Sequence, residues 1–238
     1  GWRAEALAEL AAFEEPSLPS EKIVYASLFA AAGDYHRASE ILARTLMADS
    51  QLVAHSTLLI GYPEIYRDEI SKEGARYKIP AELVQALIKQ ESSFRVDARS
   101  PVGAMGLMQL MPVTAREVAS DMRIKLPDIA RDLAVPAVNI RIGTQYLNRR
   151  LRAFEGNVPL ALASYNAGIG NIRNWRSSRK DLAGIEKTPT SAPLEELWFD
   201  ELPWAETTGY IKSILRNYLV YKVLDLGEIE LAEPVWKF

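Results

Sequence analysis

The chain is 238 residues long, which allows one large domain or two small ones. Its formal net charge of −3 gives no bulk attraction to nucleic acid, and the absence of Cys excludes disulfides, thiolate metal sites and a Cys nucleophile. Apolar residues make up 48% of the sequence, enough for a sizeable core.

Residues 1–62 predict short helices. Ala4, Leu7, Leu10 and Ala11 mark the first, and Lys22 to Ala32 the second. Asp34 caps a third, whose stripe is Tyr35, Ala38, Ile41, Leu42 and Leu46. The pair joined through Ala-Ala-Gly-Asp-Tyr reads as one unit of a helical solenoid. No grouping of chemical residues occurs here, so a scaffold role is expected. His36 and His55 lie far from every motif named below and form no His-x-x-His pattern. Neither a metal site nor a Ser-His-Asp triad is expected. Pro63 to Tyr77 predicts a helix that starts at a proline, with Ile65, Tyr66, Ile70 and Ala75 turned inward.

Pro80 to Ala115 is the most informative stretch. Pro80 suits a first helical turn. Leu83, Leu87 and Glu91 recur every four residues with Val84 and Ile88 beside them, while Glu82, Gln85 and Lys89 fall on the other side. A carboxyl therefore ends an apolar face. Apolar neighbours raise a carboxyl pKa from about 4.3 toward roughly 6 or above, fit for a general acid. The other reading is a salt-bridged or snorkelling Glu at a helix end. Ser100-Pro101-Val102-Gly103-Ala104 reads as a turn. Gly106 to Met111 is an apolar segment opened by a glycine that permits close backbone approach. Its one amide, Gln109, is what a pocket orienting a polar ligand requires. Pro112 halts the segment, and Thr114 caps a further helix.

Val113 to Asp121 and Pro136 to Phe154 predict helices. The second offers Ile140, Ile142, Gly143, Tyr146, Leu147 and Leu151 for packing and stops at Glu155-Gly156-Asn157. From Arg141 to Lys180, eight Lys/Arg stand against one acid, Glu155, a local charge of +7. That run reads either as a face for an anionic polymer or as a solvated surface. Pro159 opens a short apolar helix running into Ser164-Tyr165-Asn166-Ala167-Gly168. Taken alone, Tyr165 reads as a charge-steadying hydroxyl or as a core aromatic with a bonded hydroxyl. Residues 181–196 read as a loop. Trp198 to Trp204 reads as an aromatic cluster, for sugar faces or for the core. Glu206-Thr207-Thr208-Gly209-Tyr210 opens a long helix to about Leu226, and the tail 228–238 is expected to pack back or fray. No apolar run approaches the roughly eighteen residues of a membrane span. No leader peptide is visible, and a Gly1 start suggests a processed or truncated chain.

Three short motifs, Glu91-Ser92, Ser100-Pro-Val-Gly-Ala and Gly106-Leu-Met-Gln, in this order and spacing resemble the catalytic core of the soluble lytic murein transglycosylases, a lysozyme-like family. Ser164-Tyr-Asn-Ala-Gly resembles the family's Ala-Tyr-Asn-Ala-Gly. Glu206-Thr-Thr-Gly-Tyr resembles its Glu-Thr-Arg-x-Tyr, with Thr208 where Arg is usual. The likeness covers about residues 63–225. It implies an all-α fold: a helical, solenoid-like segment at 1–62, then a lysozyme-like catalytic domain at 63–238. It also implies cleavage of the β-1,4 bond between N-acetylmuramic acid and N-acetylglucosamine in peptidoglycan. No water is added, and the muramic C6 hydroxyl closes on C1 to leave a 1,6-anhydro product.

Ordinary glycosidases use two carboxylates about 5–10 Å apart, and the matched motifs supply one. One suffices if Glu91 protonates the leaving oxygen and then takes the proton of an intramolecular nucleophile. On this resemblance Glu91 and Tyr165 are catalytic, while Ser100, Gln109 and Asn166 bind N-acetyl and hydroxyl groups. Met108 and Met111 form a soft wall, and Tyr210 lines the groove. Glu201 and Glu206 grip the peptide stem or brace the fold. The expected partners are peptidoglycan glycan strands, with other cell-wall proteins as candidates. A monomer in the periplasm or cell envelope is expected, with no cofactor, metal, nucleic acid or membrane span. Two alternatives stand beside this. One is a muramidase that uses water, with Asp97, Glu201 or Glu206 as second carboxylate. The other is a non-catalytic peptidoglycan-binding or scaffold protein that keeps the groove.

Overall fold

The computed structural model describes residues 1–179 and 200–227, and within them twelve α-helices, a 3-10 turn at Ser50–Leu52, further 3-10 residues at 200–201 and no strand. The expected loop at 181–196, Trp198 and the tail at 228–238 lie outside the described residues.

Helices α1 (Trp2–Ala12), α2 (Pro19–Ala31) and α3 (Tyr35–Ala48) form the N-terminal unit. Asp34 caps α3 by accepting from the Arg37 N–H at 3.1 Å. A small apolar cluster of Ala26, Phe29, Ala38 and Ile41 closes α2 on α3. The Tyr25 hydroxyl ties α1 to this pair by donating to the Leu10 carbonyl at 2.7 Å. Helix α4 (His55–Gly61) belongs to the N-terminal segment by sequence, yet Leu58, Leu59 and the following Tyr62 pack on the main core.

The helix expected from Pro63 begins later, as α5 (Arg67–Tyr77). Tyr66 sits in the left-handed region at φ 57°, where a helix cannot run. The Pro63 carbonyl instead accepts from Gln85 Nε2 at 2.9 Å and from the Tyr221 hydroxyl at 3.3 Å. Helix α6 (Ala81–Ser92) follows, with Pro80 just ahead of its first turn. Leu83, Val84, Ala86, Leu87 and Ile88 have no exposed surface. Each buried Leu, Ile or Val contributes about 1.5–3 kcal/mol. The side carrying Gln85 and Lys89 is not a solvated face. Gln85 is buried, and Lys89 donates to Ser39 Oγ at 2.8 Å and the Gly61 carbonyl at 2.6 Å. Distant helices enclose α6, so its polar groups are bonded rather than hydrated.

Helix α7 (Pro112–Asp121) starts on Pro112 itself, so Thr114 lies inside the first turn and Met111 takes the cap position. After the short α8 (Ile129–Asp132) come α9 (Pro136–Ala153), α10 (Val158–Ala167) and α11 (Ile169–Ser178). Every residue of α10 from Val158 to Tyr165 is buried, as an all-round apolar helix must be. Helix α12 (Ala205–Leu226) runs along α6 and closes the body.

The basic run is partly neutralised by acids from elsewhere in the sequence. Arg149 bonds Glu117 at 2.9 Å and Asp121 at 2.5 Å, and Arg179 bonds Glu201 at 2.5 Å. Arg150 lies over the Tyr146 ring at 4.6 Å. Among the described residues no helix is long and apolar enough to cross a membrane, and no group of three or more His, Asp or Glu is placed to hold a metal ion.

Candidate active site

Glu91 ends α6 on the side of the buried leucines, where the 3.6-residue period puts it. The chain must turn immediately, and Ser93 and Phe94 do so in the left-handed region. Ser92 locks the next segment by donating its hydroxyl to the Leu107 carbonyl at 2.8 Å.

That segment, residues 95–111, folds back through isolated bridges of Met105 to Arg99 and Leu110. Gly106 sits at φ 76°, and a Cβ there would lie 2.3 Å from the Leu133 carbonyl and 2.1 Å from Asn139 Nδ2. Only glycine lets the segment lie so close to α9. Asn139, fully buried on α9, uses its whole amide on this backbone. Its Oδ1 accepts from the Met108 N–H at 2.8 Å, and its Nδ2 donates to the Leu133 and Met105 carbonyls at 2.9 and 3.2 Å.

Two phenols converge on the site from distant helices. Tyr210 of α12 donates its hydroxyl to Glu91 Oε1 at 2.5 Å. Tyr165 of α10 donates to the Met108 carbonyl at 2.8 Å, and its ring lies 4.8 Å from that of Tyr146 on α9.

As a whole residue Glu91 keeps a partly open surface, but its carboxyl is largely surrounded by protein. Burial pushes its pKa up to about 7, and the Tyr210 hydrogen bond, which favours the charged form, only partly opposes this. Among the described residues no ion pair involves Glu91, and no cation or second carboxylate adds to the shift. The salt-bridged reading of this residue therefore fails. Burial, followed by the nearby Glu91 charge, drives both Tyr165 and Tyr210 well above the usual phenol range. Both stay protonated donors at neutral pH.

The structure brings together Glu91, Tyr210, Tyr165 and the Met108 backbone, and it redistributes the expected roles. Tyr210, expected only to line the groove, is the group that holds Glu91, while Tyr165 holds the Met108 carbonyl instead. Met108 cannot form a wall. Its side chain is fully buried where Gly143 leaves room, at a site where an added Cβ would be 2.3 Å from its sulfur. Met111 is 41% exposed and open to such a contact. Ser100 Oγ accepts from the Ala104 N–H at 2.9 Å and shapes the turn. Gln109 Nε2 donates to the Gly106 and Ala98 carbonyls at 2.9 and 3.2 Å, leaving its Oε1 as the remaining acceptor. Asn166 Oδ1 accepts from the Thr207 hydroxyl at 2.7 Å, joining α10 to α12. Glu201 is engaged with Arg179 at the surface, and Glu206 is exposed in the first turn of α12. Sequence reasoning missed Asn139 and read Tyr146 as packing alone. The available signal was an amide set directly beside Ile140 in an apolar stripe.

Among the described residues, a helical body with a desolvated carboxyl on a central helix and no cation beside it has the makings of an acid catalyst, a class rather than a particular protein. A family model described as "Transglycosylase SLT domain" matches residues 68–187, and the chain belongs to that family. Tyr210 lies beyond the matched span. The soluble lytic murein transglycosylase of Escherichia coli is 32% identical over 162 residues, 68% of this chain and 23% of that protein. That of Salmonella typhimurium is 32% identical over 180 residues, 74% of this chain and 26% of its own length. The chain thus spans about a quarter of the length of these relatives. Among solved structures, an inactive Glu-to-Gln mutant of the lytic transglycosylase Slt from Pseudomonas aeruginosa aligns with a TM-score of 0.74 and 31% identity, over 99% of this chain and 35% of that one. A complex of the 70-kDa soluble lytic transglycosylase with bulgecin A gives 0.75 and 25%, over 100% of this chain and 36% of that one.

Proposed function

We propose that this chain is a lytic transglycosylase that cleaves the β-1,4 bond between N-acetylmuramic acid and N-acetylglucosamine without water. The observation that carries this reading is the solitary Glu91 carboxyl, with its pKa near 7 and one phenol as its partner. A group poised there donates and recovers a proton equally well near neutral pH. Glu91 protonates the glycosidic oxygen and becomes a carboxylate. The Tyr210 hydroxyl then gives that carboxylate a charge-assisted hydrogen bond, stronger than the bond to the neutral acid. The carboxylate next takes the proton of the muramic C6 hydroxyl, which closes on C1 and yields the 1,6-anhydro end. The nucleophile belongs to the substrate, so no second carboxylate is needed to activate water.

Tyr165 acts as a positioning residue through the Met108 backbone. Gln109 Oε1, Asn166 and Met111 are the groups we assign to sugar contacts, with Ser100 shaping the turn that presents them. Glu201 and Glu206, both exposed, are the groups we assign to a peptide stem or to bracing the fold. We assign residues 63–238 to catalysis and 1–62 to the scaffold, and place the protein in the periplasm or cell envelope on peptidoglycan strands. The names of the relatives and the inactive Glu-to-Gln mutant of one structural relative support this reading.

Mass spectrometry of digested sacculi, wild type against Glu91→Gln, tests it. The wild type is expected to release anhydro-ended products and the variant almost none. Reducing-end products would replace this reading with a water-using muramidase. Full turnover by the variant would remove Glu91 from the chemistry.

A further inference from the structure

Away from Glu91, the junction between the N-terminal helices and the body holds a cavity of about 610 Å³. Helices α3 and α4 line one side, and α6 and α12 the other. Two cations reach it, Lys89 from α6 and Arg216 from α12. Its one lining carboxylate, Glu40, has a side chain 55% exposed and lies 3.7 Å from His36.

Among the described residues Lys89 has only neutral partners. It donates to Ser39 Oγ and the Gly61 carbonyl and lies 4.5 Å over the Tyr62 ring. Its amine is pushed down to about 8, first by burial and then by the Arg216 charge. The Arg216 charge also acts on Tyr62, another neutral group, opposing the rise that burial gives its phenol pKa. An enclosed ammonium beside a second cation is positive charge without compensation, which favours an anion. Asn217, next to Arg216 on α12, is 3% exposed and lines the same cavity. Leu42 and Leu46 supply an apolar wall across from these groups.

We propose that this cavity binds the free carboxylate end of a short peptide. The carboxylate sits between Lys89 and Arg216, whose planar fork suits two carboxylate oxygens. The Asn217 amide offers a donor and an acceptor to the adjoining peptide group, and Leu42 and Leu46 take an apolar side chain. A bare phosphate would use the cations and leave the apolar wall idle. The bound peptide bridges the N-terminal unit to α12, the helix that carries Tyr210.

Titration calorimetry on the chain with N-acetyl-alanyl-leucine, its C-terminal amide and inorganic phosphate, at one ionic strength, tests the site. One equivalent of the free acid is expected to bind, with the amide and phosphate weaker by about tenfold or more. Lys89→Gln and Arg216→Gln are each expected to weaken the free acid by about tenfold or more, and Glu91→Gln to leave it unchanged. Lys89 also ties Ser39 and Gly61, so Arg216→Gln, at an exposed position, keeps the test readable should Lys89→Gln not fold. Four results would each overturn the proposal: no binding of the acid, equal binding of acid and amide, phosphate binding as tight as the acid, or unchanged affinity in Arg216→Gln.

Discussion

The N-terminal unit and the body around Glu91 treat charge in opposite ways. In α1 to α3 the charges lie near the surface in pairs. Arg44 and Lys22 meet Glu15, and Arg37 meets Asp34. Each such pair contributes about 0–1 kcal/mol. In the body, Glu91 is withdrawn from water with a phenol for a partner and no cation among the described residues. Stability alone would favour an apolar side chain there, since burying an uncompensated carboxylate is costly. The contrast teaches that the surface charges cost the fold little, while the buried carboxyl on α6, which we assign to proton transfer, is held at a cost to stability.

The sharpest way to break the contrast is Glu91→Gln. Turnover of murein is expected to fall by about 10²–10⁴-fold, the worth of a general acid. Stability is expected to move the other way. The unfolded carboxyl titrates near 4.5 and the folded one near 7. As pH rises through that window the unfolded chain loses its proton first, so wild-type stability declines. The loss is complete above about pH 7 and amounts to roughly 3 kcal/mol. Glu91→Gln has no such loss, so denaturant unfolding at pH 4 and pH 8 should show the variant gaining on wild type at the higher pH. An identical difference at both would mean that Glu91 is hydrated.

Next comes Asn139→Ala. It strips two buried backbone groups and one part-buried one of their partner, and a loss of about 3 kcal/mol in urea unfolding is expected. A cost below about 0.5 kcal/mol, typical of a surface change, would mean that something else holds residues 105–108.

The two phenols separate chemistry from support. Tyr210→Phe removes the donor that favours the charged carboxyl, so the Glu91 pKa should rise. The alkaline limb of the pH–rate profile should shift upward, and turnover should drop by about tenfold or more. Tyr165→Phe leaves the Met108 carbonyl unpaired. It should cost about 1 kcal/mol in stability without moving that limb. If Tyr165→Phe moved the limb and Tyr210→Phe did not, the two roles would be reversed. The smallest effect belongs to the N-terminal unit. Arg44→Ala should change stability by less than about 1 kcal/mol, judged by thermal unfolding, and leave turnover alone.

Local signals were readable from the residues. The four-residue recurrence of Leu83, Leu87 and Glu91 placed a carboxyl on an apolar face, and the Asp34 cap lay within a few residues of its stripe. The long-range partners were not readable. Tyr210 is 119 positions from Glu91, and a tyrosine on an apolar stripe looks the same whether its hydroxyl meets a carboxyl or a carbonyl. The bond to Glu91 therefore comes from Tyr210, expected only to line the groove, and Tyr165 bonds the Met108 carbonyl instead. Met108 sits in a segment with no periodicity, so nothing in the sequence told its buried side chain from the exposed one of Met111. Gln85 and Lys89 fell on the side away from the apolar stripe, and their burial was not readable because the helices that enclose them are distant in sequence.

The most direct measurement is the titration of Glu91 itself, by carboxyl ¹³C NMR with the resonance assigned by its absence in Glu91→Gln. The account predicts a midpoint near pH 7, moving higher in Tyr210→Phe. A midpoint near 4.5, unmoved by Tyr210→Phe, would place the carboxyl in water and contradict it.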